Sequence, residues 1–554
     1  MEDKIQIYCK NTKTYRDFKP GVTLQEIYNM MEVNLPYLLS SAKVNNKTES
    51  LCFKCYTPKD VEFLDVRDPS AMRTYVRSLC FVLSKAVYDL FSVKIYIEHP
   101  ISNGYFCDLE LDREITQEDV DAIKKRMQEI IQANFPYQVK QGQTEEIVKL
   151  FRKREMEDKA LLLETSGSLY TSYQTLDGHI DYYYGALLPS TGLLYLFGLE
   201  LYFDGLLLRV PSMNNPAELR PMVKQNKMMA VYQEHLRLLK VLGLTNVGDL
   251  NCSHKEGKIP MAIKVAEALQ EKLIAQMAEV IAERQKHGLK VVLISGPSSS
   301  GKTTFCKRLQ VQLMVNLVDP MTLSLDDYYI NRVDTPLTET GEYDFESLYA
   351  IDLPLFNNDL KKIMLGEEVA LPTYDFTQGV RVFKGNTIQM KEKSVLIIEG
   401  IHGLNPELIP DIPEEQVFKI YVSALTTISL DDHNWIPTTD NRLIRRIVRD
   451  YQFRKYSAKE TISRWASVRA GEDKWIFPYQ ENADAMFNSA MLYELAALRK
   501  LAETILSEVQ PKDPEYAEAY RLLKFFRYFI PIDLDELPGT SLLREFVGGS
   551  SFRY

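Results

Sequence analysis

The sequence predicts a multidomain protein whose second half is an α/β domain with a mostly parallel sheet and helices on both faces. From Lys290 onward, short apolar runs alternate with helical segments, as in strands that pair in parallel through helical crossovers. The first half instead mixes short strand patterns with amphipathic helices, which predicts smaller α+β domains. The apolar runs of the second half are residues 291–295, 321–325, 394–398 and 417–422.

Length and composition agree with several folded domains. The chain has 554 residues, and at ~150 residues per domain this suggests about three to four. Hydrophobic residues make up 45% and charged residues 26%, which excludes wholesale disorder. The net charge of −10 argues against a non-specific polyanion binder, so nucleic acid would meet at most a local patch.

Cysteine usage and the apolar segments indicate the compartment. The seven cysteines are an odd number spread over a long chain, unlike a disulfide-stapled secreted fold. The first residues from Met1 have no basic region leading into an apolar run, so we expect no signal peptide. The most apolar stretch, 185–210, is interrupted by proline, glycine and acidic residues and predicts buried strands. We therefore expect a reduced, soluble, cytoplasmic protein without membrane segments.

The elements of the first half follow from local patterns. Strand-like runs at 5–8, 42–44 and 50–56 surround one helix after Thr23, and Asn103-Gly104 predicts a hairpin turn. Thr116 and Asp119 predict a capping box that begins a helix. Helical patterns at about 216–242 and 259–287 precede the α/β half. We divide the chain into domains at 1–62 and 63–240, a helical connector at 241–288, the α/β domain at 289–500 and a helical tail at 501–554.

The strongest motif is the Gly296-Pro-Ser-Ser-Ser-Gly-Lys-Thr303 segment, which follows an apolar strand and begins a helix. This is the context of a Walker A loop, whose backbone N–H groups surround phosphates. Lys302 would reach the β/γ-phosphates, and the Thr303 hydroxyl would bind Mg²⁺. The predicted nucleotide-binding residues of the loop are Gly296, Ser298, Ser299, Ser300, Gly301, Lys302, Thr303 and Thr304.

Acidic residues end two further predicted strands of this half. Asp326 and Asp327 follow 321–325, and carboxylates at the carboxyl end of a parallel strand lie beside the phosphate loop. There one of them can accept a proton from an attacking hydroxyl; the alternative is an ordinary turn or helix cap. Glu399 ends 394–398 in a Walker B-like arrangement and would hold Mg²⁺ with Thr303, or be a strand-end acid without a metal.

Four arginines are spaced along one predicted helix. Arg442, Arg445, Arg446 and Arg449 recur at helical spacing and predict one stripe, with Thr439 or Asp440 as the cap. Guanidinium groups pair well with phosphate oxyanions; the alternative is a solvated face paired with nearby acids. No Asn-Lys-x-Asp guanine-reading motif occurs after Thr304, which favours a small-molecule kinase over a GTPase.

These clusters, in this order, resemble the uridine kinase branch of the phosphoribulokinase/uridine kinase family over about residues 289–500. The resemblance implies an α/β P-loop kinase domain that uses ATP and Mg²⁺, with Asp326 as the general base. It assigns catalytic roles beside Asp326 to Lys302, Arg446 and Arg449, and nucleotide contact to Arg454. It assigns substrate contacts to Tyr329, Asp344, Tyr374 and Arg381.

The sequence departs from the family pattern at two positions. Gly379 stands where the family has a base-reading histidine, and Tyr456 stands where it has a second lid arginine. The phosphoryl-transfer residues are thus present, whereas the residue that reads the base is replaced. The resemblance therefore implies a kinase of a nucleoside-like alcohol more strongly than it implies uridine.

The first half resembles two domains of threonyl-tRNA synthetases. Residues 1 to about 62 are similar to the TGS domain, a β-grasp module, through Gly21-Val-Thr23 and Ala42-Lys-Val-Asn45. Residues from about 70 to 240 are similar to the second additional domain, an editing domain, through 103–119. The editing domain's metal-binding histidine pair aligns with Arg77 and Phe81, and 186–194 contains neither cysteine nor histidine. We therefore expect a binding or regulatory module, with RNA as a candidate partner.

Taken together, the sequence predicts an ATP- and Mg²⁺-dependent kinase acting on the 5′-hydroxyl of a small-molecule nucleoside, with uridine or cytidine as the expected acceptors. Two alternatives remain open at this stage. One is a kinase of another small alcohol, and the other is a nucleotide-gated RNA-binding regulator. The sequence does not indicate an oligomeric state.

Overall fold

The computed structural model describes residues 4–338 and 341–553. The residues at Met1, where the sequence predicts no signal peptide, lie outside this range. In the described part of the chain, no helix combines the length and the apolar character that crossing a bilayer requires.

The first domain is a mixed sheet with one short helix. The sheet order is β2-β1-β7-β4-β5, with β1 and β7 parallel and the other neighbours antiparallel. Thr23 caps the helix through a capping box with Glu26. The assignment of this domain to the TGS class remains a prediction. The elements are β1 (Ile5–Cys9), β2 (Thr14–Phe18), β3 (Val22–Thr23), α1 (Leu24–Met30), β4 (Leu39–Val44), β5 (Lys47–Glu49), β6 (Lys54–Cys55) and β7 (Lys59–Asp65).

The second domain surrounds a long buried helix, α2, with two antiparallel sheets, β10-β11-β12 and β13-β14-β9-β8. The apolar stretch at 185–210 does supply buried strands, β13 and β14. The elements are α2 (Pro69–Phe91), β8 (Ile95–Ile101), β9 (Gly104–Leu109), α3 (Gln117–Gln132), β10 (Gln138–Gln143), α4 (Thr144–Lys153), α5 (Glu157–Thr165), β11 (Tyr170–Leu176), β12 (His179–Asp181), β13 (Gly198–Tyr202), β14 (Gly205–Arg209) and α6 (Asn226–Leu242).

Two local predictions in this domain need correction. The hairpin forms, but its turn is Ser102-Asn103, both with positive φ, and Gly104 already pairs in β9. Helix α6 begins at Asn226, about ten residues later than the pattern suggested. The predicted capping box of Thr116 and Asp119 is present and begins α3.

The α/β domain contains a five-stranded parallel sheet in the order β16-β19-β15-β20-β21. The predicted apolar runs form four of these strands. A separate antiparallel hairpin, β17-β18, projects beside the sheet. The elements are α7 (Val247–Lys255), α8 (Ile259–Lys286), β15 (Val291–Ser295), α9 (Lys302–Val315), β16 (Asp319–Ser324), α10 (Leu353–Met364), β17 (Val369–Asp375), β18 (Val380–Ile388), β19 (Ser394–Glu399), β20 (Val417–Ser423), α11 (Thr438–Arg454), α12 (Ala458–Trp475), β21 (Ala485–Asn488), α13 (Glu494–Leu506), α14 (Tyr516–Phe526) and α15 (Arg544–Val547).

A buried ionic cluster joins the second domain to the α/β domain. The Lys159 ammonium, with no exposed surface, lies 3.0 Å from Asp431 and 3.3 Å from Asp181. Asp181 also contacts His433 at 2.7 Å, and this contact raises the pKa of the histidine against the effect of burial. Because an unpaired charge here would be costly, the two domains are held in one arrangement at this point.

Candidate active site

The phosphate loop connects β15, the central strand of the parallel sheet, to α9. All five residues of β15 are buried. A side chain at Gly296 would overlap the Val422 carbonyl of β20, so the loop passes this strand only as glycine. Gly301 has φ +85° and caps α9, which turns the chain into the helix with its first N–H groups facing the loop.

The polar atoms of the loop fit a phosphate group. The Ser299 and Ser300 hydroxyls are buried and have no hydrogen-bond partner among the described residues. The Lys302 ammonium, 8% exposed, donates to the Pro297 carbonyl at 3.2 Å. Buried hydroxyls usually have partners, so these donors indicate a site that is completed by an anionic ligand.

Thr303 and Glu399 meet where the metal was predicted. Thr303 Oγ1 and Glu399 Oε2 are 3.4 Å apart. Burial raises the pKa of Glu399 to about 7, although Lys302 acts in the opposite direction. No group of three histidine, cysteine or acidic residues in the described ranges is arranged to hold a metal. The assignment of Mg²⁺ to Thr303 and Glu399 stays a prediction.

The two adjacent aspartates after β16 have different surroundings. Asp327 Oδ1 accepts a hydrogen bond from the Tyr374 N–H at 3.2 Å and so attaches the β17-β18 hairpin to the sheet. The Asp326 carboxylate faces the cleft. Desolvation raises the pKa of Asp326, while Lys302, Arg454 and Arg449 act to lower it. The predicted base is therefore the aspartate that lies among the cations of the phosphate site.

An aromatic wall lies next to Asp326. The ring centres of Tyr329 and Tyr374 are 5.6 Å apart, and those of Tyr374 and Phe376 are 5.0 Å apart. The Tyr329 hydroxyl donates to the Phe345 carbonyl at 3.1 Å. Burial and the charge of Asp326 raise the pKa of Tyr329 well above its usual value, and Asp344 adds to this effect. Three of the predicted substrate residues, Tyr329, Asp344 and Tyr374, thus lie in the neighbourhood of Asp326, the predicted base.

Arg381 lies in β18 opposite Tyr374, and Gly379 is in the turn just before that strand. Arg381 forms an ion pair with Asp352 at 2.9 Å. The Arg332 side chain crosses directly over Gly379, and its backbone N–H donates to the Gly379 carbonyl at 2.8 Å. A side chain at position 379 would collide with Arg332, so the space assigned to a base-reading histidine is filled by an arginine.

Three arginines at the end of α11 gather around Asp450. Arg449 donates to its carboxylate at 2.8 Å, Arg446 lies 3.3 Å from it, and Arg454 lies 3.6 Å from it. Arg446 also donates to the Ser298 hydroxyl of the phosphate loop at 3.0 Å. One carboxylate thus orders three cations at the edge of the loop.

The other two arginines of the predicted stripe do not face the cleft. Arg442 forms a buried ion pair with Glu472, and Arg445 forms one with Glu494 at 2.6 Å. The single stripe is therefore wrong, because the helix divides its arginines between a buried face and a cleft face. The predicted cap is also wrong: Pro437 precedes α11 without a side-chain cap, and Asp440 pairs with Arg521.

Sequence reasoning missed the acids that hold the loop. Glu472 accepts hydrogen bonds from the Ser298 N–H at 3.1 Å and from Arg442, whose Nε donates to the Ser298 carbonyl at 3.0 Å. Glu545, in the predicted tail, accepts from Thr304. The apolar and helix-forming residues around these acids can be recognised in the sequence. Nothing in the sequence, however, indicates which distant residue a carboxylate on a helix will bind.

Comparison with known proteins matches this part of the chain. Residues 291–495 match the model of the Phosphoribulokinase / Uridine kinase family. The chain is 31% identical over 195 residues to the uridine kinase of Staphylococcus aureus (strain JH9), covering 35% of this chain and 84% of that protein. The uridine kinase of Staphylococcus aureus (strain Newman) matches over the same lengths and at the same identity.

Two solved structures align with part of the chain at low sequence identity. A protein described as a possible uridine kinase from Bacillus stearothermophilus is 19% identical, with 36% of this chain and 89% of that chain covered at a TM-score of 0.25. A D-glycerate 3-kinase from Cryptococcus neoformans is 16% identical, with 48% and 93% covered at a TM-score of 0.22. The sequence relatives, matched over most of their own length, decide the matter: the chain belongs to the phosphoribulokinase/uridine kinase family and is an ATP-dependent phosphotransferase.

Proposed function

We propose that the protein transfers the γ-phosphoryl group of ATP to the 5′-hydroxyl of a nucleoside, with pyrimidine nucleosides as the preferred acceptors. The observation that carries the proposal is the position of Asp326. This carboxylate lies near Tyr329 of the aromatic wall and near the cations Lys302, Arg449 and Arg454. A hydroxyl held there meets a proton acceptor on one side and phosphate-binding groups on the other.

In this proposal Asp326 accepts the proton of the attacking hydroxyl. Desolvation raises the pKa of Asp326 and makes the carboxylate a stronger base than an aspartate in free solution, while Lys302, Arg454 and Arg449 act to lower that pKa. Asp327 does not share this role, because its Oδ1 is engaged by the backbone of Tyr374. Asp326 thus positions the acceptor and takes its proton.

The remaining charged residues bind and neutralise the phosphates. Phosphoryl transfer depends largely on positioning and on electrostatic stabilisation. Lys302, Arg446 and Arg449 would contact the phosphate oxygens, and Arg454 would close over the nucleotide. Thr303 and Glu399 would hold Mg²⁺, which supplies a positive charge that bridges phosphate oxygens.

The acceptor would lie against the aromatic wall. Tyr374 offers a ring face for a base, and Asp344, close to Tyr329, would accept hydrogen bonds from ribose hydroxyls. Arg381 is committed to Asp352, so its contact with substrate would require that ion pair to open or to be shared. We therefore assign the principal acceptor contacts to Tyr329, Asp344 and Tyr374.

A second candidate, a kinase of another small alcohol, is favoured by one observation. Arg332 fills the space over Gly379, and a guanidinium only donates hydrogen bonds, whereas a histidine can also accept them. An acceptor that presents carbonyl or anionic oxygens to this position would suit Arg332. The class of reaction is the same in both cases.

The test is ADP release with Mg²⁺ and a panel of nucleosides, sugars and pantothenate, with Lys302→Ala as the blank. We expect turnover on uridine or cytidine that is absent from the blank. Turnover on another member of the panel alone would replace the proposed acceptor with the second candidate. No turnover on any member, with ATP still bound, would contradict the proposal.

A further inference from the structure

The C-terminal segment of the chain, residues 541–547, is built into the core beside the phosphate loop. Leu542, Leu543 and Phe546 have no exposed surface. The Arg544 guanidinium donates to the carbonyls of Leu534 and Leu537 at 2.9 and 2.7 Å and fixes the turn before α15. The predicted tail is thus a packed element of the fold, and it lies against the phosphate loop.

Two contacts connect this segment to the nucleotide-binding residues. Glu545 Oε2 accepts hydrogen bonds from the backbone N–H of Thr304 at 3.0 Å and from its hydroxyl at 2.8 Å. The Leu542 side chain lies directly on Gly301, where a β-carbon would overlap it. Both ends of the turn between the loop and α9 are therefore covered by the same short segment.

The Thr304 N–H belongs to the first turn of α9, where the helix offers donors to an anion. Backbone N–H groups of the Walker A loop and of the helix that follows it surround the α- and β-phosphates of a bound nucleotide. A carboxylate that takes this N–H therefore occupies the place of a phosphate oxygen and carries the same sign of charge. The two anions exclude each other.

The charge of Glu545 also acts on the metal position. The Glu545 carboxylate lies near Glu399, whose Oε2 is 3.4 Å from the hydroxyl of Thr303, the residue before Thr304. Departure of Glu545 would therefore remove a negative charge from the neighbourhood of both the phosphate and the metal ligand. The contact is thus linked to nucleotide binding by charge as well as by space.

We propose that residues 541–547 are part of the nucleotide site, and that Glu545 competes with nucleotide phosphate for the first turn of α9. This inference rests on the proposed function in one respect, that the loop binds ATP. Nucleotide binds when the Glu545 carboxylate leaves Thr304. The apparent affinity is reduced by the fraction of molecules in which the carboxylate is bound there. Any partner that draws the segment away would raise nucleotide affinity.

The test is the dissociation constant of Mg²⁺-ADP, measured by calorimetry on the full chain without an acceptor. We expect Glu545→Gln to bind ADP about tenfold more tightly, which corresponds to a carboxylate bound to Thr304 in about nine molecules of ten. The matched control is Glu536→Gln, an exposed acid in the turn that precedes this segment, and we expect no change. Glu545→Ala, which removes the acceptor altogether, should tighten binding at least as much.

Each outcome decides the inference. An ADP dissociation constant within twofold of the unmodified protein in both Glu545 variants, weaker binding, or no measurable binding in any form would overturn it. The acceptor panel is a separate measurement. Tighter ADP binding without turnover on any acceptor keeps the competition and contradicts the proposed function; turnover on a nucleoside with unchanged ADP affinity does the reverse.

Discussion

Both faces of α11 carry arginines, but the arginines of the two faces have different roles. Arg442 and Arg445 point inward, have at most 1% exposed side chain, and end in ion pairs with Glu472 and Glu494. Arg446 and Arg449 point to the cleft with 16% and 14% exposed and share Asp450. The first pair binds carbonyls of the phosphate loop, and the second pair is the one for which we propose contact with the phosphates.

The comparison shows that an arginine close to the phosphate loop can have either of two roles, to support the loop or to act in catalysis. Proximity to the loop alone does not distinguish them. Arg442 and Arg445 both donate to loop carbonyls, those of Ser298 and Ser299, whereas Arg446 donates to the Ser298 hydroxyl. A guanidinium bound to a buried carboxylate has its charge satisfied within the protein. The aspartate pair after β16 repeats the contrast, since Asp327 is engaged by backbone and Asp326 is not.

The largest expected effect separates those two aspartates. Asp326→Asn should lower kcat by about 10²–10⁴-fold, since it removes the proton acceptor while keeping the shape of the side chain. ADP affinity should change far less than kcat, because the Asp326 side chain makes no hydrogen bond to the loop among the described residues. The measurement is steady-state kinetics on the acceptor identified by the panel, together with calorimetric binding of ADP.

Asp327→Asn is the matched control. Its amide oxygen still accepts from the Tyr374 N–H, so the hairpin should stay attached and kcat should fall less than tenfold. Equal losses in the two variants would show that the pair acts only as a structural turn. Activity of Asp326→Asn at the level of the unmodified protein would remove the base assignment.

The next effect tests the inward face. Arg445→Gln leaves the Glu494 carboxylate buried without its partner, which should lower the free energy of unfolding by about 3–5 kcal/mol. Urea denaturation of the nucleotide-free protein measures it. Glu494→Gln should lower the free energy of unfolding by a similar amount, because it leaves the Arg445 guanidinium buried without its carboxylate partner. If both variants unfold at the same urea concentration as the unmodified protein, the ion pair is not a support of the loop.

Much of the fold was predictable because it depends on local pattern. The apolar runs at 291–295, 394–398 and 417–422 became β15, β19 and β20, since a strand buried on both faces must be continuously apolar. The Walker loop was predictable because its chemistry is contained in eight consecutive residues. The capping box at Thr116 was readable for the same reason.

What the sequence did not reveal depends on partners far along the chain. Glu472 and Glu494 lie 30 and 49 residues beyond the arginines they bind, and Glu545 lies 241 residues beyond Thr304. Periodicity assigns residues to a helix face but does not say what covers that face. The division of the arginines and the packing of the C-terminal segment could therefore be found only from the structure.

A smaller effect tests the outward face. Arg449→Gln removes one of the cations gathered at Asp450 and near Asp326, so kcat should fall by about 10²-fold. The midpoint of urea denaturation should change little, since Arg446 and Arg454 remain beside Asp450. A loss of stability like that of Arg445→Gln, without a specific loss of kcat, would show that both faces of α11 are structural.

The smallest expected effect is the pH dependence of the metal requirement. Burial raises the pKa of Glu399 to about 7, so in the nucleotide-free protein the carboxyl is largely protonated below that pH and ionised above it. A metal ligand must lose its proton, so Mg²⁺ has to displace it at low pH, which costs up to about tenfold in affinity per pH unit.

The Mg²⁺ concentration that gives half-maximal activity should therefore rise as pH falls from 8 to 6, because the fraction of ionised Glu399 falls in that direction. Glu399→Gln should need more Mg²⁺ at every pH and lose this slope, whereas Glu536→Gln, a change of an exposed acid in the turn before α15, should keep it. A slope that survives in Glu399→Gln would assign the titration to another group of the cleft, and Glu346 would be the first to examine, since burial raises its pKa to about 7 as well.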